Sequence, residues 1–407
     1  MKRVVITGMG IYSCIGKNLD EVKDSLCNGK SGIGVDHDRK KFGYRSGLTG
    51  MIEEPDLKGL ISRRERIQLA EQAKYAYVAT KEALENAGLT VDDLVKAEAG
   101  ILYGNDSSAR AVTEAVDRIR EKEDTTLLGS GSIFQSMNCT VTMNLSTIFK
   151  LRGINFTISA ACASGSHSIG IGYLMIKMGL QDMIICGGAQ EVNKYAFGNF
   201  DALSAFSIRE DEPEKASRPF DKNRDGLVPS GGGATIVIES YESAVARGAN
   251  ILAEIKGYGF SSNGDHISNP NKQGQLKSLN MALEQAGLSP GDIDYINAHA
   301  TSTPVGDSFE AKALTEIFGE HKVPISSTKS MTGHECWMAG ASEVVYSLIM
   351  MQNNFIAPNI NFETPDEDAK NLNIVKTKTD KELNCVLSNS FGFGGTNSTL
   401  IIEKFKK

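Results

Sequence analysis

No two of the seven cysteines in this 407-residue chain are closer than 13 residues, so it has neither a C-x-x-C redox pair nor a compact zinc motif. They read as reduced thiols packed like small apolar side chains. No apolar run approaches the roughly 18 residues of a membrane span. The opening MKRVVITGMG follows its two basic residues with too short an apolar stretch for a secretory leader, and reads as a first strand. Positive charge is not in excess: the net charge is −7, which argues against nucleic acid as the main partner. Proline is scarce, at 10 residues, and no Pro- or Ser-rich linker divides the chain. What remains is an ordinary globular composition, 41% hydrophobic and 23% charged, with a cytoplasmic location expected.

Short apolar runs such as Val4–Thr7, Met183–Cys186, Thr235–Ile238 and Val386–Ser388 alternate with longer helical patterns, which points to an α/β fold. The helical stretch 70–87 ends at Gly88, a C-cap. The sequence Ala83-Leu84-Glu85-Asn86-Ala87-Gly88-Leu89 returns 199 residues later as Ala282-Leu283-Glu284-Gln285-Ala286-Gly287-Leu288, and each copy leads into a strand. A second echo pairs Phe156–Ser159 with Val386–Asn389, each entering a small-residue turn. Helix–glycine–strand units resemble one another in general. The alternative is a duplicated half, 1–250 and 251–407, with the site between the copies.

Cys162 stands between the strand-like Asn155–Ser159 and the small-residue stretch Ala163–His167, near a helix N-terminus that favours thiolate. A tightly packed buried helix would use the same small residues. His299 follows the strand of the second copy, and Lys329 and His334 lie five residues apart in Ser326–His334. Cysteine and two histidines without local pairing are a weak zinc pattern. They fit better a thiolate that accepts an acyl group, with two imidazole donors for the charge that builds on a thioester oxygen. The glycine turn in Ser388–Asn397 offers backbone N–H groups for an oxyanion and lacks the lysine of a P-loop.

Taken together, VVITGMGIYSCIG, the cysteine segment, SRPFDKNRDGLVPSGGGA, HATSTPVGD, STKSMTGH and SNSFGFGGTN resemble the elongating β-ketoacyl-[acyl carrier protein] synthases of type I/II. The likeness runs over nearly the whole chain. It implies a thiolase-like duplicated five-layer α-β-α-β-α fold and decarboxylative condensation of a Cys162-bound acyl group with malonyl-[acyl carrier protein]. It implies His299 and His334 for decarboxylation, Lys329 for the electrostatics around His334, and Glu310 in the polar network behind them. The amides of Cys162 and Phe393 would form the oxyanion hole, with Phe393 as gate. Thr301 and Thr303 would line the pantetheine channel, and Phe391 and Asp106 the substrate pocket. Met137 would reach the acyl pocket of the other subunit in a homodimer. Arg63, Arg64 and Arg66 would dock the acidic carrier protein, or simply form a solvated helix face. No metal and no cofactor is called for, since the phosphopantetheine belongs to the carrier; no membrane partner is expected.

The chain departs from that pattern in places. Ala300 replaces a glycine, Gly104–Ser108 is polar, and Glu335-Cys336-Trp337-Met338 replaces small residues and a Leu-Gly. Trp337, the single tryptophan, either reshapes the pocket or packs in the helix core. These departures admit a dedicated polyene, aryl-polyene or other polyketide-type ketosynthase as an alternative. A degradative thiolase would carry a second cysteine in the C-terminal glycine turn, and an initiating synthase an asparagine in place of His334. A non-catalytic chain-length partner subunit would lack the nucleophile.

Overall fold

The computed structural model describes residues 1–406. Its main sheet is built from strands β1 (Val4–Ser13), β2 (Gly100–Gly104), β3 (Asn155–Ile158), β4 (Met183–Gln190), β5 (Gly232–Ser240), β6 (Ala253–Ser262), β7 (Tyr295–Asn297), β8 (Pro324–Ser326), β9 (Asn373–Ile374), β10 (Cys385–Phe391) and β11 (Thr396–Lys404). The strand order is β9-β8-β7-β10-β11-β6-β1-β5-β4-β2-β3. Leaving β9 aside, the order is a palindrome of two five-stranded units, β3-β2-β4-β5-β1 and β8-β7-β10-β11-β6. Each unit has two parallel pairings followed by two antiparallel ones. The units meet where β1 and β6 pair antiparallel, through Val5 with Glu254 and Ile6 with Ala253.

Helices α1 (Glu71–Ala87), α2 (Ser164–Lys177), α3 (Lys272–Ala286), α4 (Pro304–Phe318) and α5 (Ala339–Asn353) complete five layers. The strands alternate with period two, and both faces are covered. Ile184, Cys186, Ile236 and Ile238 join the central cluster with Ile169 of α2 and Tyr346 of α5. Met183, Ile185 and Val237, one residue out of phase, pack outward with Ala76 and Leu84 of α1. On the other unit Val386 and Leu400 face the centre, while Leu387 and Ile401 pack against Leu279 of α3 and Leu314 of α4. Each such aliphatic side chain contributes roughly 1.5–3 kcal/mol when fully buried.

The first sequence echo is a structural repeat. Helices α1 and α3 end at Gly88 and Gly287, with φ of 65° and 68°. Each lies against a Gly-x-Gly on its facing strand: a Cβ on Gly10 would sit 2.1 Å from the Ala79 carbonyl oxygen, and one on Gly259 1.8 Å from that of Ser278. The second echo does not correspond. Strand β3 is the edge strand matched by β8, whereas β10 is matched by β4. The look-alike turns after β3 and β10 arise because both serve one cavity from opposite units.

A less visible correspondence matters more. Strand β3 leads through a short 3₁₀ turn, Ala161–Ala163, into α2; the chain after β8 runs through a similar turn, Cys336–Met338, into α5. Each turn begins on a non-glycine residue with positive φ, Ala161 at 46° and Cys336 at 47°. Cys162 and Trp337 therefore occupy equivalent positions in the two units.

Candidate active site

The chain after β3 bends sharply to present Cys162, and the bend is held from the side. The Asp106 carboxylate accepts the Ala161 amide at 2.9 Å and the Ser159 hydroxyl. The Ser164 hydroxyl accepts the Ala160 amide at 2.8 Å and donates to the Ala161 carbonyl at 2.7 Å. Positive φ at Ala161 costs on the order of 1–3 kcal/mol, so these bonds fix a conformation the backbone would otherwise leave. Asp106, expected in the substrate pocket, is not among the cavity-lining residues; its carboxylate is turned to this bend.

Cys162, His299 and His334 face one cavity of about 470 Å³, which Phe391, Phe393, Thr301 and Thr303 also line. His299 follows β7, and its amide, with that of Ala300, donates to Glu310 of α4 at 2.9 and 2.6 Å; Asn389 of β10 donates to the same carboxylate at 3.1 Å. His334 is tied into the segment 228–230: its amide donates to the Val228 carbonyl at 2.7 Å, and its carbonyl accepts the Ser230 amide at 2.9 Å. The two imidazoles stand edge to face with centroids 5.4 Å apart. Phe391 meets the His299 ring at 5.7 Å.

Burial holds both imidazoles well below their ordinary pKa, and the Lys329 ammonium pushes in the same direction, so both are neutral near pH 7. His299 Nδ1 and both ring nitrogens of His334 are buried with no hydrogen-bond partner in the protein. These polar atoms are available to a bound group. Lys329 is itself buried and ion-paired with the Glu343 carboxylate of α5. Burial raises the Glu310 carboxyl to about 7, opposed by the amides it accepts.

Burial pushes the Cys162 thiol up to about 12, against the opposing pull of Lys329 and of the Phe393 amide. The thiolate expected from a helix N-terminus is thus outweighed by desolvation, and the resting group is a thiol. The Phe393 and Cys162 amides both reach the sulfur. Gly392 makes this possible: a Cβ there would lie 3.1 Å from the Cys162 nitrogen and 3.0 Å from the Ala160 oxygen. Phe393 is 38% exposed and stacks on Phe200 at 5.7 Å.

Trp337 is not among the cavity-lining residues; it packs one layer away, against Phe200, which is. It is buried in one cluster with Cys162, Phe197 and Phe206, meets the Phe200 ring at 6.2 Å, and donates from Nε1 to the Ser107 hydroxyl at 3.3 Å. Met137 is exposed and outside the cavity lining, as are Arg63 and Arg64; Arg66 is half-buried on the same short helix, Arg63–Arg66. Among the described residues no three His, Cys, Asp or Glu side chains are grouped to hold a metal ion. Among the same residues no helix is long and apolar enough to cross a membrane.

Sequence reading missed Glu343 and the Val228–Ser230 brace. A signal for Glu343 was present: one carboxylate in the otherwise apolar and small-residue run AGASEVVYSLIMM needs a buried partner.

With this geometry established, comparison with known proteins is decisive. The β-ketoacyl synthase N-terminal domain matches residues 1–244 and the C-terminal domain residues 252–363. The chain belongs to the β-ketoacyl synthase family. It is 44% identical over 408 residues to the 3-oxoacyl-[acyl-carrier-protein] synthase 1 of Haemophilus influenzae, covering 100% of both chains. Among solved structures, a β-ketoacyl synthase from Burkholderia phymatum superposes with a TM-score of 0.94 at 37% identity, again over 100% of each. A type II polyketide ketosynthase, solved with its acyl carrier protein and bound to the hexaketide, superposes at 0.91 with 28% identity and the same full coverage. The fold is the thiolase-like one of this family.

Proposed function

We propose that this protein is a 3-oxoacyl-[acyl carrier protein] synthase that extends acyl chains in fatty acid biosynthesis. The observation that carries the reading is the convergence of Cys162, His299, His334 and the Phe393 amide on one cavity. The Cys162 sulfur attacks the carbonyl carbon of an acyl thioester, its proton passing to a neutral imidazole and from there to the carrier's sulfur, which leaves as a thiol as the carbon–sulfur bond breaks. The tetrahedral oxyanion rests on the amides of Cys162 and Phe393. A malonyl thioester then enters along Thr301 and Thr303. Its carboxylate departs as carbon dioxide, and the electron pair left on the α-carbon delocalises onto the thioester oxygen. Neutral imidazoles of His299 and His334 donate N–H groups to that oxygen. The carbanion attacks the acyl carbon, and the Cys162 sulfur leaves. Burial, reinforced by the Lys329 charge, keeps both imidazoles unprotonated, and Glu310 holds the His299 loop through its amides.

The acyl carrier protein is the partner, with Arg63, Arg64 and Arg66 as its docking group; the neighbour solved with its carrier supports that choice of partner. The higher identity to the fatty-acid synthase than to the polyketide ketosynthase favours the fatty-acid pathway over the polyketide alternative. The nucleophile itself argues against a chain-length partner subunit. The two halves divide near residue 250, between β5 and β6. A homodimer forms along the exposed edge strand β3, whose Phe156 is 58% exposed, with the exposed Met137 reaching the acyl pocket of the other subunit. Seven unbridged cysteines suit a reducing cytoplasm.

The test is acylation of the purified protein by a panel of acyl carrier thioesters, then malonyl carrier protein, followed by intact-mass spectrometry. Saturated chains should load on Cys162 and gain two carbons, and Cys162→Ala should carry none. Failure of every primer to load would overturn the condensing reading.

A further inference from the structure

Arg39 is the largest fully buried side chain that the proposed chemistry leaves unused. Nη1 donates to the Leu48 carbonyl at a long 3.4 Å, and Nε lies 3.5 Å from the Asp36 carboxylate, yet Nε and Nη2 make no hydrogen bond. A buried guanidinium with idle N–H groups is costly unless something pairs with them. The guanidinium carbon lies 4.9 Å from the centre of the Phe197 ring and 5.9 Å from that of Tyr44. Both rings belong to the buried cluster that contains Cys162, Cys336 and Trp337.

None of Arg39, Phe197, Phe206 and Trp337 lines the cavity of about 470 Å³; the three aromatic residues belong to the packed apolar cluster that also holds Cys162, and Arg39 lies against it. In the reaction proposed above, the acyl group stays on Cys162 while a second carrier arm uses the cavity. A chain held on the sulfur and kept clear of that arm has this cluster as its apolar surroundings, with Phe206 and Phe197 beside Cys162 and Trp337. Phe197 meets Phe206 edge to face at 6.5 Å, and Arg39 closes that end of the aromatic path. Cys336 belongs to the same cluster, and both Cys162 and Arg39 are close enough to act on its thiol: burial and then Cys162 push its pKa up, and Arg39 draws it down.

We propose that Arg39 is the far-end recognition group of the acyl pocket, so that the enzyme takes, besides methyl-ended chains, acyl groups whose distal end bears an oxygen acceptor. A hydroxyl, carbonyl or carboxylate there pairs with Nε and Nη2, which a methyl group leaves idle. The inference rests on the condensing function and adds a substrate class to it.

The experiment uses full-length protein and acyl carrier thioesters of equal chain length ending in methyl, hydroxyl or carboxylate. The kcat/KM for Cys162 acylation is read by intact mass for wild type, Arg39→Met and Arg39→Lys. The ratio of oxygen-ended to methyl-ended primers should fall about tenfold or more in Arg39→Met, and less in Arg39→Lys, which keeps the charge. An equal loss on all primers would mark Arg39 as scaffold and overturn the proposal. So would a wild-type enzyme that loads methyl-ended chains and rejects oxygen-ended ones, a result that needs no variant to fold. No acylation by any primer would instead remove the condensing reading beneath it.

Discussion

At the scale of single residues, the site is governed by desolvation. Cys162 has a helix start, a lysine charge and two amides in its favour, yet burial still leaves it a thiol with a pKa of about 12. Because that value lies above neutrality, the thiolate fraction grows with pH throughout the accessible range. The rate of Cys162 alkylation by iodoacetamide should therefore rise about tenfold per pH unit from 7 to 9; a plateau beginning near 7 would show that the helix terminus prevails. The motifs around Cys162, His299 and His334 stood out in the sequence because small residues and turn residues crowd each one. Glu343 left only the trace of a lone carboxylate in an apolar run; its partner was not legible, because Lys329 lies on a separate short helix and no local pattern records the pairing.

At the scale of elements, the turn between β3 and α2 stores strain at Ala161, and Asp106 supplies the restraint from the loop after β2. Replacing Asp106 with alanine removes a charge-assisted bond worth about 1.5–3 kcal/mol. Single-turnover acylation of Cys162 should slow by about tenfold, with Asp106→Asn recovering part of the loss. An unchanged rate in Asp106→Ala would mean that Ser164 alone holds the turn. The polarity of Asp106 was legible in the sequence, but its direction was not, since the bend that receives it is formed by residues more than fifty positions away. Likewise the echo of α1 in α3 was readable because a helix ending in glycine repeats in letters as well as shape. The equivalence of Cys162 and Trp337 was not, because the turns share a backbone conformation and no residue.

At the scale of the whole molecule, the sheet ends on one side at β3, with an open row of backbone groups and an exposed phenylalanine. Such an edge invites a second strand. Phe156→Asp should convert a dimer into a monomer in light-scattering chromatography; an unaltered mass would rule out this edge as the contact. Strand and helix alternation made the α/β class readable from the sequence. The way β1 and β6 fuse the two units into one sheet was not, since it depends on two residue pairs without a distinctive pattern.

Helix α5 belongs to the second unit, yet Val344 and Val345 share a core with Ile236 and Ile238 of the first. During synthesis, then, β5 leaves the ribosome about 100 residues before the helix that covers its inner face, a gap of roughly 5–20 s at ordinary elongation rates. For that interval only α2 shields that face, and the nascent chain carries the remaining apolar surface exposed to whatever it meets.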